Sequence, residues 1–166
     1  MTQPANDPAA VEALAEALLT RAAVALDDLA PTRQAVVFGP PAWDCEQLTV
    51  DVATIRPSGS PLTSSMSGPM ACAVVTVVDF NIGVTLCISA KPDSRGNAPS
   101  AAAVQADASK LNQAGHALWI GLRDDFLSGT LFPSLPCSAY TWRGMTPIGP
   151  LGGYAGWLLK VEVSLA

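Results

Sequence analysis

The chain has 166 residues, of which 49% are hydrophobic and only 14% charged, with 14 acidic against 9 basic side chains and a formal net charge of −5. That length suits one domain with a sizeable core, and apolar content at low net charge excludes intrinsic disorder. Nine Lys and Arg residues scattered singly offer no surface that grips nucleic acid by displacing counterions. No membrane span is expected either. The uncharged stretch 57–78 opens with Pro, Ser and Gly and leaves an apolar run of only 71–78, against the ~20 residues a spanning helix needs. Residues 1–7 lack the basic-then-apolar pattern of a secretory signal, so none is expected. Ordinary soluble domains are about 25% charged. The shortfall here implies apolar surface, which commonly marks an interface, with surface alanine and glycine accounting for the rest.

Residues 1–7 read as a tail and 8–30 as a first helix. Asp7 is placed to cap it, Pro8 suits its first turn, and Val11, Leu14, Leu18, Ala22, Ala25 and Leu29 recur on one face. Pro31 ends it. A short strand over 34–38 and the turn Gly39-Pro40-Pro41 lead to a strand over 46–56. There Leu48, Val50 and Val52 alternate with Thr49, Asp51 and Ala53, the pattern of a half-buried strand in an antiparallel sheet. Residues 57–69 carry no charge and read as a flexible arm that orders against a neighbour. Within 70–90, the segments 74–78 and 84–88 are rich in β-branched residues. Asp79 to Gly83 between them is a turn or a bulge inside one long strand. Near-continuous apolarity places this segment centrally, buried on both faces.

A loop over 91–99 precedes a second helix, capped by Ser100 and running to about 127. Val104, Ala108, Leu111, Gly115, Leu118, Leu122 and Phe126 form its apolar face. Gly115 and Gly121 each lower helix propensity by roughly 1 kcal/mol relative to Ala, which implies close packing against the sheet. Strands over 138–146 and 156–164 follow, joined by a hairpin through 149–153. The sum is a single α+β domain over 1–166: a mostly antiparallel sheet of four to five strands with two main helices packed on it.

Catalytic signatures do not emerge. His116, the one histidine, lies off the centre of its helix's apolar face and reads as a partly exposed structural residue. No G-x-S-x-G nucleophile turn is present, and nothing specific pairs the histidine with Cys45 or Cys137. Asp124 and Asp125 point about 100° apart on a helix and, with Arg123, solvate its outer face; Asp44 and Glu46 are the other acidic pair. Residues 149–153 lack the Lys and the helix of a phosphate loop. Cys45, Cys72, Cys87 and Cys137 show none of the close spacing of zinc ligands. They read as free buried thiols, with a Cys72–Cys87 bridge as the alternative if their strands pair. No catalytic residue, cofactor or metal is therefore expected. Among the tryptophans, Trp142 and Trp157 sit on the two arms of the last hairpin, placed to stack across it, while Trp119 lies on the second helix and Trp43 precedes the half-buried strand. Such aromatic anchors are enriched in interfaces.

The ordered series Gly39-Pro40-Pro41-Ala42-Trp43-Asp44-Cys45-Glu46-Gln47-Leu48-Thr49-Val50, the apolar segment from Cys72 to Cys87, the helix carrying Asp107, Leu111 and Arg123-Asp124, and the tail Pro147-Ile148-Gly149-Pro150-Leu151-Gly152-Gly153-Tyr154-Ala155-Gly156-Trp157 resembles the tail terminator proteins of long-tailed (siphovirus) phages of actinobacteria. The resemblance extends over most of residues 8–166. It implies a small tail-terminator-like α+β subunit without catalysis that assembles as a homo-oligomer, a ring that in this family is typically hexameric. Such a ring caps the tail tube, ends its polymerisation and joins a head-side connector or stopper protein at the neck of the virion, after assembly in the host cytoplasm. DNA passes through the lumen of such a ring without specific binding, which suits an acidic subunit. The candidate interface comprises Trp43 and Asp44, the arm residues Pro61, Leu62 and Met66, and the hairpin residues Pro150, Leu151, Tyr154 and Trp157. Rival expectations are another neck component, such as a head-completion or stopper protein, a minor tail protein, a small hydrolase, and a stand-alone dimeric binding domain.

Overall fold

The chain runs α1 (Pro8–Leu26), a 3₁₀ turn (Asp27–Leu29), β1 (Arg33–Phe38), β2 (Gln47–Ser58), β3 (Val75–Cys87), α2 (Ala101–Leu127), β4 (Cys137–Leu151) and β5 (Tyr154–Leu165). This is a computed structural model, and it describes residues 8–58, 75–89, 98–132 and 137–165. The five strands form one sheet in the order β1-β2-β3-β5-β4, antiparallel except for β1 and β2, which pair in parallel. The class is α+β, as the sequence implies.

Strand periodicity explains which face is dry. Leu48, Val50 and Val52 of β2 stand beside Val84, Ile82 and Phe80 of β3, and these stand beside Trp157, Leu159 and Val161 of β5. Apart from half-buried Trp157, every one of these is at most 7% exposed. α1 lays Leu14, Leu18 and Leu26 on this face over β1–β3, while α2 brings Leu118 and Leu122 over β3 and β5. A fully buried Leu or Phe contributes roughly 1.5–3 kcal/mol relative to exposure, so this layer is the main stabilising element.

The glycines of α2 set how closely the layers approach. A Cβ on Gly115 would stand 2.5 Å from Trp157 Nε1, and Trp157 cannot retreat, because that nitrogen donates to the Leu111 carbonyl at 2.9 Å. Gly121 instead meets Ala25 of α1, so its close approach is to the other helix and not to the sheet. At the far end of α2 an edge-to-face aromatic cluster joins Trp119, Phe126, Phe132, Tyr140 and Trp142, with ring centroids 4.9–5.8 Å apart.

Several expectations change against the coordinates. α1 stops at Leu26, because Asp27 turns to φ +48° and breaks the helical ladder four residues before Pro31. The Ser100 cap holds: its hydroxyl accepts from the Ala103 amide at 3.1 Å. β3 is one central strand, and the irregularity expected within it lies on its partner, where the β2 register shifts between Val52 and Thr54. The last hairpin is longer than its alternation suggests and reverses only at Gly152-Gly153, both at positive φ. That register sets Trp142 opposite Val161 and Trp157 opposite Pro147, so the two tryptophans do not stack across the hairpin. Each packs under α2 instead. β4 meets β5 with three register shifts, after Cys137, Trp142 and Ile148.

The parallel β1–β2 pair was not legible as such. It requires the chain to return from Phe38 to Gln47, and residues 39–46 make that return as an arch over the face opposite the helices. Trp43 lies on Gly83 at the middle of β3, so closely that no Cβ fits there. The Thr85 hydroxyl donates to the Asp44 carbonyl. Cys45 and Cys87 are joined in a disulfide, with Cα atoms 4.7 Å apart. The expectation of free buried thiols therefore fails for these two, and Cys87 is exposed. Chain reversal brings them together across 42 residues, a distance that spacing does not reveal. Cys72 and the side chain of Cys137 lie outside the described residues, as do Asp7 and the uncharged segment beyond Ser58.

Two consequences are measurable. Gly115→Ala gains roughly 1 kcal/mol of helix propensity but overpacks against a fixed indole, at ~1–3 kcal/mol; urea unfolding should show a net loss of stability. Cys87→Ser releases a loop whose closure is worth up to about 4 kcal/mol in the chain-entropy account. The same loss should appear when the wild-type chain is unfolded with a reductant present.

Candidate interaction surfaces

One end of the sheet gathers elements far apart in sequence. There β2 begins, β3 ends, and β4 turns into β5, with Cys87 beside Tyr154 and Tyr154 beside Leu151. The Ile88 amide donates to the Gly153 carbonyl at 2.9 Å, extending the pairing past β3. The Ser89 amide donates to Asp107 Oδ2 at 2.6 Å, which ties the exit of β3 to α2. Lys110 of α2 reaches Glu46 of the arch at 3.5 Å. Between α2 and the hairpin lies a cavity of about 280 Å³, its walls mostly apolar: Ile88, Val104, Ala108, Leu111, Pro150 and Ala155. Val104 on its wall is 53% exposed, and Leu151, which pairs with Tyr154 on the other face of the sheet, is 55% exposed.

The arch contributes polar order at this end. Asp44 accepts from its neighbour's amide, Cys45 N–H, at 2.7 Å and from Arg33 Nη1 at 3.1 Å. The backbone donor first, and then the guanidinium, hold its carboxyl below the usual range. Arg33 also donates to the Cys45 carbonyl, and the Asp44 amide donates to Gln47 Oε1 at 3.2 Å.

Of the residues expected at an interface, Pro150, Leu151 and Tyr154 therefore gather at this end with Asp44. Trp43 lies on the adjoining open face, half-buried over Gly83. Trp157 stands apart from them, turned under α2 and engaged with Leu111. Pro61, Leu62 and Met66 lie outside the described residues. His116 is exposed, as expected. Asp124 binds Arg123 at 2.8 Å, whereas Asp125 approaches Arg21 of α1 at 3.8 Å; the two acids diverge.

A second apolar area escaped the sequence reading. Phe38 on edge strand β1 is 61% exposed and Ile55 on β2 is 55% exposed. Their strand alternation puts them in line with core residues, Phe38 beside Val52 and Ile55 beside Val78. Only the position of α1 leaves them uncovered, and no local signal encodes that position. This area and Leu151 occupy diagonally opposite corners of the sheet.

Beyond the arch, the face away from the helices carries a set of paired charges. Arg56 of β2 reaches Asp79 of β3 at 3.4 Å and Glu162 of β5 at 2.5 Å, and Arg143 of β4 reaches the same Glu162 oxygen at 2.8 Å. Across four strands two arginines thus flank a pair of adjacent acids, Asp79 and Glu162. The Arg143 hydrogen bond, reinforced by the charges of Arg143 and Arg56, holds the Glu162 carboxyl below its usual value despite partial burial.

Among the described residues no group of three or more His, Cys, Asp or Glu is arranged to hold a metal ion, and no helix is long and apolar enough to cross a membrane. Compared with protein-family models and with curated proteins, the chain matches none.

The Glu162 arrangement has a definite pH sign. A carboxyl whose folded pKa is depressed stabilises the fold above its unfolded value, near 4.5 here, and loses that contribution as pH falls through the folded value. Glu162→Gln should cost less than about 1 kcal/mol at neutral pH, since both guanidinium partners face solvent. The gap between variant and wild type should close as urea titrations are repeated from pH 6 down to pH 3.

Proposed function

We propose that the chain is a structural subunit of a phage tail, a tail-terminator-like protein that assembles with copies of itself into a hexameric ring at the neck. On this reading it has no catalytic role. It ends growth of the tail tube and presents a surface to the head-side connector or stopper. One observation carries the reading beyond the sequence resemblance: exposed apolar residues stand at two opposite corners of one sheet, Leu151 at the hairpin and Phe38 with Ile55 at the far ends of β1 and β2.

A two-fold dimer uses one patch twice, whereas a ring needs two unlike patches that meet head to tail. Two such patches on a chain with 14% charge fit the second arrangement. The cavity between α2 and Pro150 of the hairpin supplies a recess of the kind in which interface anchors concentrate their energy. The polar face has its own ion pairs satisfied internally, which suits a surface turned to solvent or to the DNA channel, where the net negative charge disfavours adhesion.

The test is oligomeric state in native mass spectrometry. The wild-type chain should give a closed hexamer. Leu151→Asp and Phe38→Asp should each abolish it, because an ionised side chain would be buried against apolar surface. Mixing the two variants restores one intact contact per pair, so heterodimers and nothing larger should form. A wild-type monomer, or hexamers unaffected by both substitutions, overturns the proposal.

A further inference from the structure

The arch is not flush with the sheet. Beneath Pro40, Pro41 and Trp43 is a cavity of about 260 Å³, closed on one side by Leu158 and floored by Asp51 and Asn81. Asp51 is 2% exposed. Its Oδ2 accepts from Asn81 Nδ2 at 2.8 Å, while its Oδ1 is buried with no hydrogen-bond partner. The Thr49 hydroxyl, two residues back on the same face of β2, is buried without a partner as well. A carboxylate kept from water with half of its accepting capacity unused is a costly arrangement.

The charges around it do not resolve this. Lys160 occupies the same row of the sheet, beyond Asn81, but it is exposed and forms no ion pair with Asp51 among the described residues. In the next row Asp79 and Glu162 are occupied by Arg56 and Arg143. On the arch, Asp44 is occupied by Arg33.

We propose that this cavity binds a compact organic cation, a guanidinium or primary ammonium group on a short apolar stem. The nitrogen lies at Asp51, and the stem lies between the two prolines, Leu158 and the indole of Trp43. A cation supplies the donor that the carboxylate lacks, in a charge-assisted hydrogen bond. An indole face and proline rings favour an organic cation over a hydrated ion. A metal ion would require several hard oxygen ligands, and Asp51 is the one carboxylate lining the cavity among the described residues. The cation is either a free small molecule or the tip of an Arg or Lys side chain from a second copy of this chain. The recognition chemistry is shared.

The experiment is an NMR titration of the whole chain with methylguanidinium, following the Trp43 indole N–H and the Asn81 side-chain amide. Saturable shifts at both are expected at millimolar concentration, at least tenfold weaker in Asp51→Asn. Asn81 still finds an oxygen acceptor in that variant, and only the charge is lost. A second measurement needs no variant. Burial pushes the Asp51 carboxyl above its usual value, against the Asn81 hydrogen bond and the Lys160 charge. Methylguanidinium keeps its charge throughout, so its affinity for the wild-type chain should fall as pH drops through the Asp51 titration. No saturable shift, or shifts of equal size in Asp51→Asn, means that the cavity holds water only and overturns the proposal. Sedimentation of the assembled chain with methylguanidinium separates the sources: dissociation assigns the cation to a neighbouring copy, and an unchanged assembly that still binds assigns it to a free molecule. Binding is read on the chain itself, so a failed ring hypothesis leaves this result standing.

Discussion

β3 is the central strand of the sheet, and most of its residues are buried on one face or the other, with Asp79 and Asn81 only partly covered. Val78, Phe80, Ile82 and Val84 face the helices, while Val77, Gly83 and Thr85 are buried on the other face. Two helices cover the first side. The arch over residues 39–46 covers part of the second, and its path makes β1 and β2 parallel. The disulfide, the indole on Gly83 and the hydroxyl of Thr85 all fasten the same eight-residue return to the same central strand. Once the arch is fixed, the cavity beneath it and the Arg33–Asp44 pair beside it follow from geometry.

The parts of the fold with a strict period were readable without coordinates. The three- and four-residue spacing of Val11, Leu14, Leu18 and Ala22 marks α1, and the alternation of Leu48, Val50 and Val52 marks the dry face of β2. Ser100 announced the start of α2. What could not be read depends on where the chain goes between periodic segments. The parallel pair, the Cys45–Cys87 bond and the exposure of Phe38 are products of path, and path has no local code. A glycine inside a β-prone run marks a bulge or the close approach of another group. Gly83 is such a glycine, and the group is Trp43.

The candidate surfaces divide in the same way. The place of Pro150, Leu151 and Tyr154 at a strand reversal was legible because a glycine-rich segment joins two strands there. The role of Trp157 was not, because whether a strand tryptophan faces outward depends on the helix above it, and Gly115 makes room for this ring. Asp51 was counted among the wet positions of β2, a fair reading of alternation alone. The arch converts that position into a nearly dry one, which is why its unpartnered oxygen has chemical meaning. The low charge content of the chain also takes on a spatial form. Arg56, Asp79, Arg143 and Glu162 are tied together on one face, while Phe38, Ile55 and Leu151 stand exposed elsewhere on the sheet.

The three register shifts along β4 bear on how this molecule meets others. An edge strand with its backbone groups in even step is a template on which a foreign strand can nucleate, and from there fibrils grow. β4 is the longest strand of the sheet and an open edge, yet its pleat is broken near both ends and in the middle. A visiting strand would lose step within a few residues. The chain is thereby protected from ladder-like stacking along this edge, and contacts there are left to side-chain shape, which can be specific about partner.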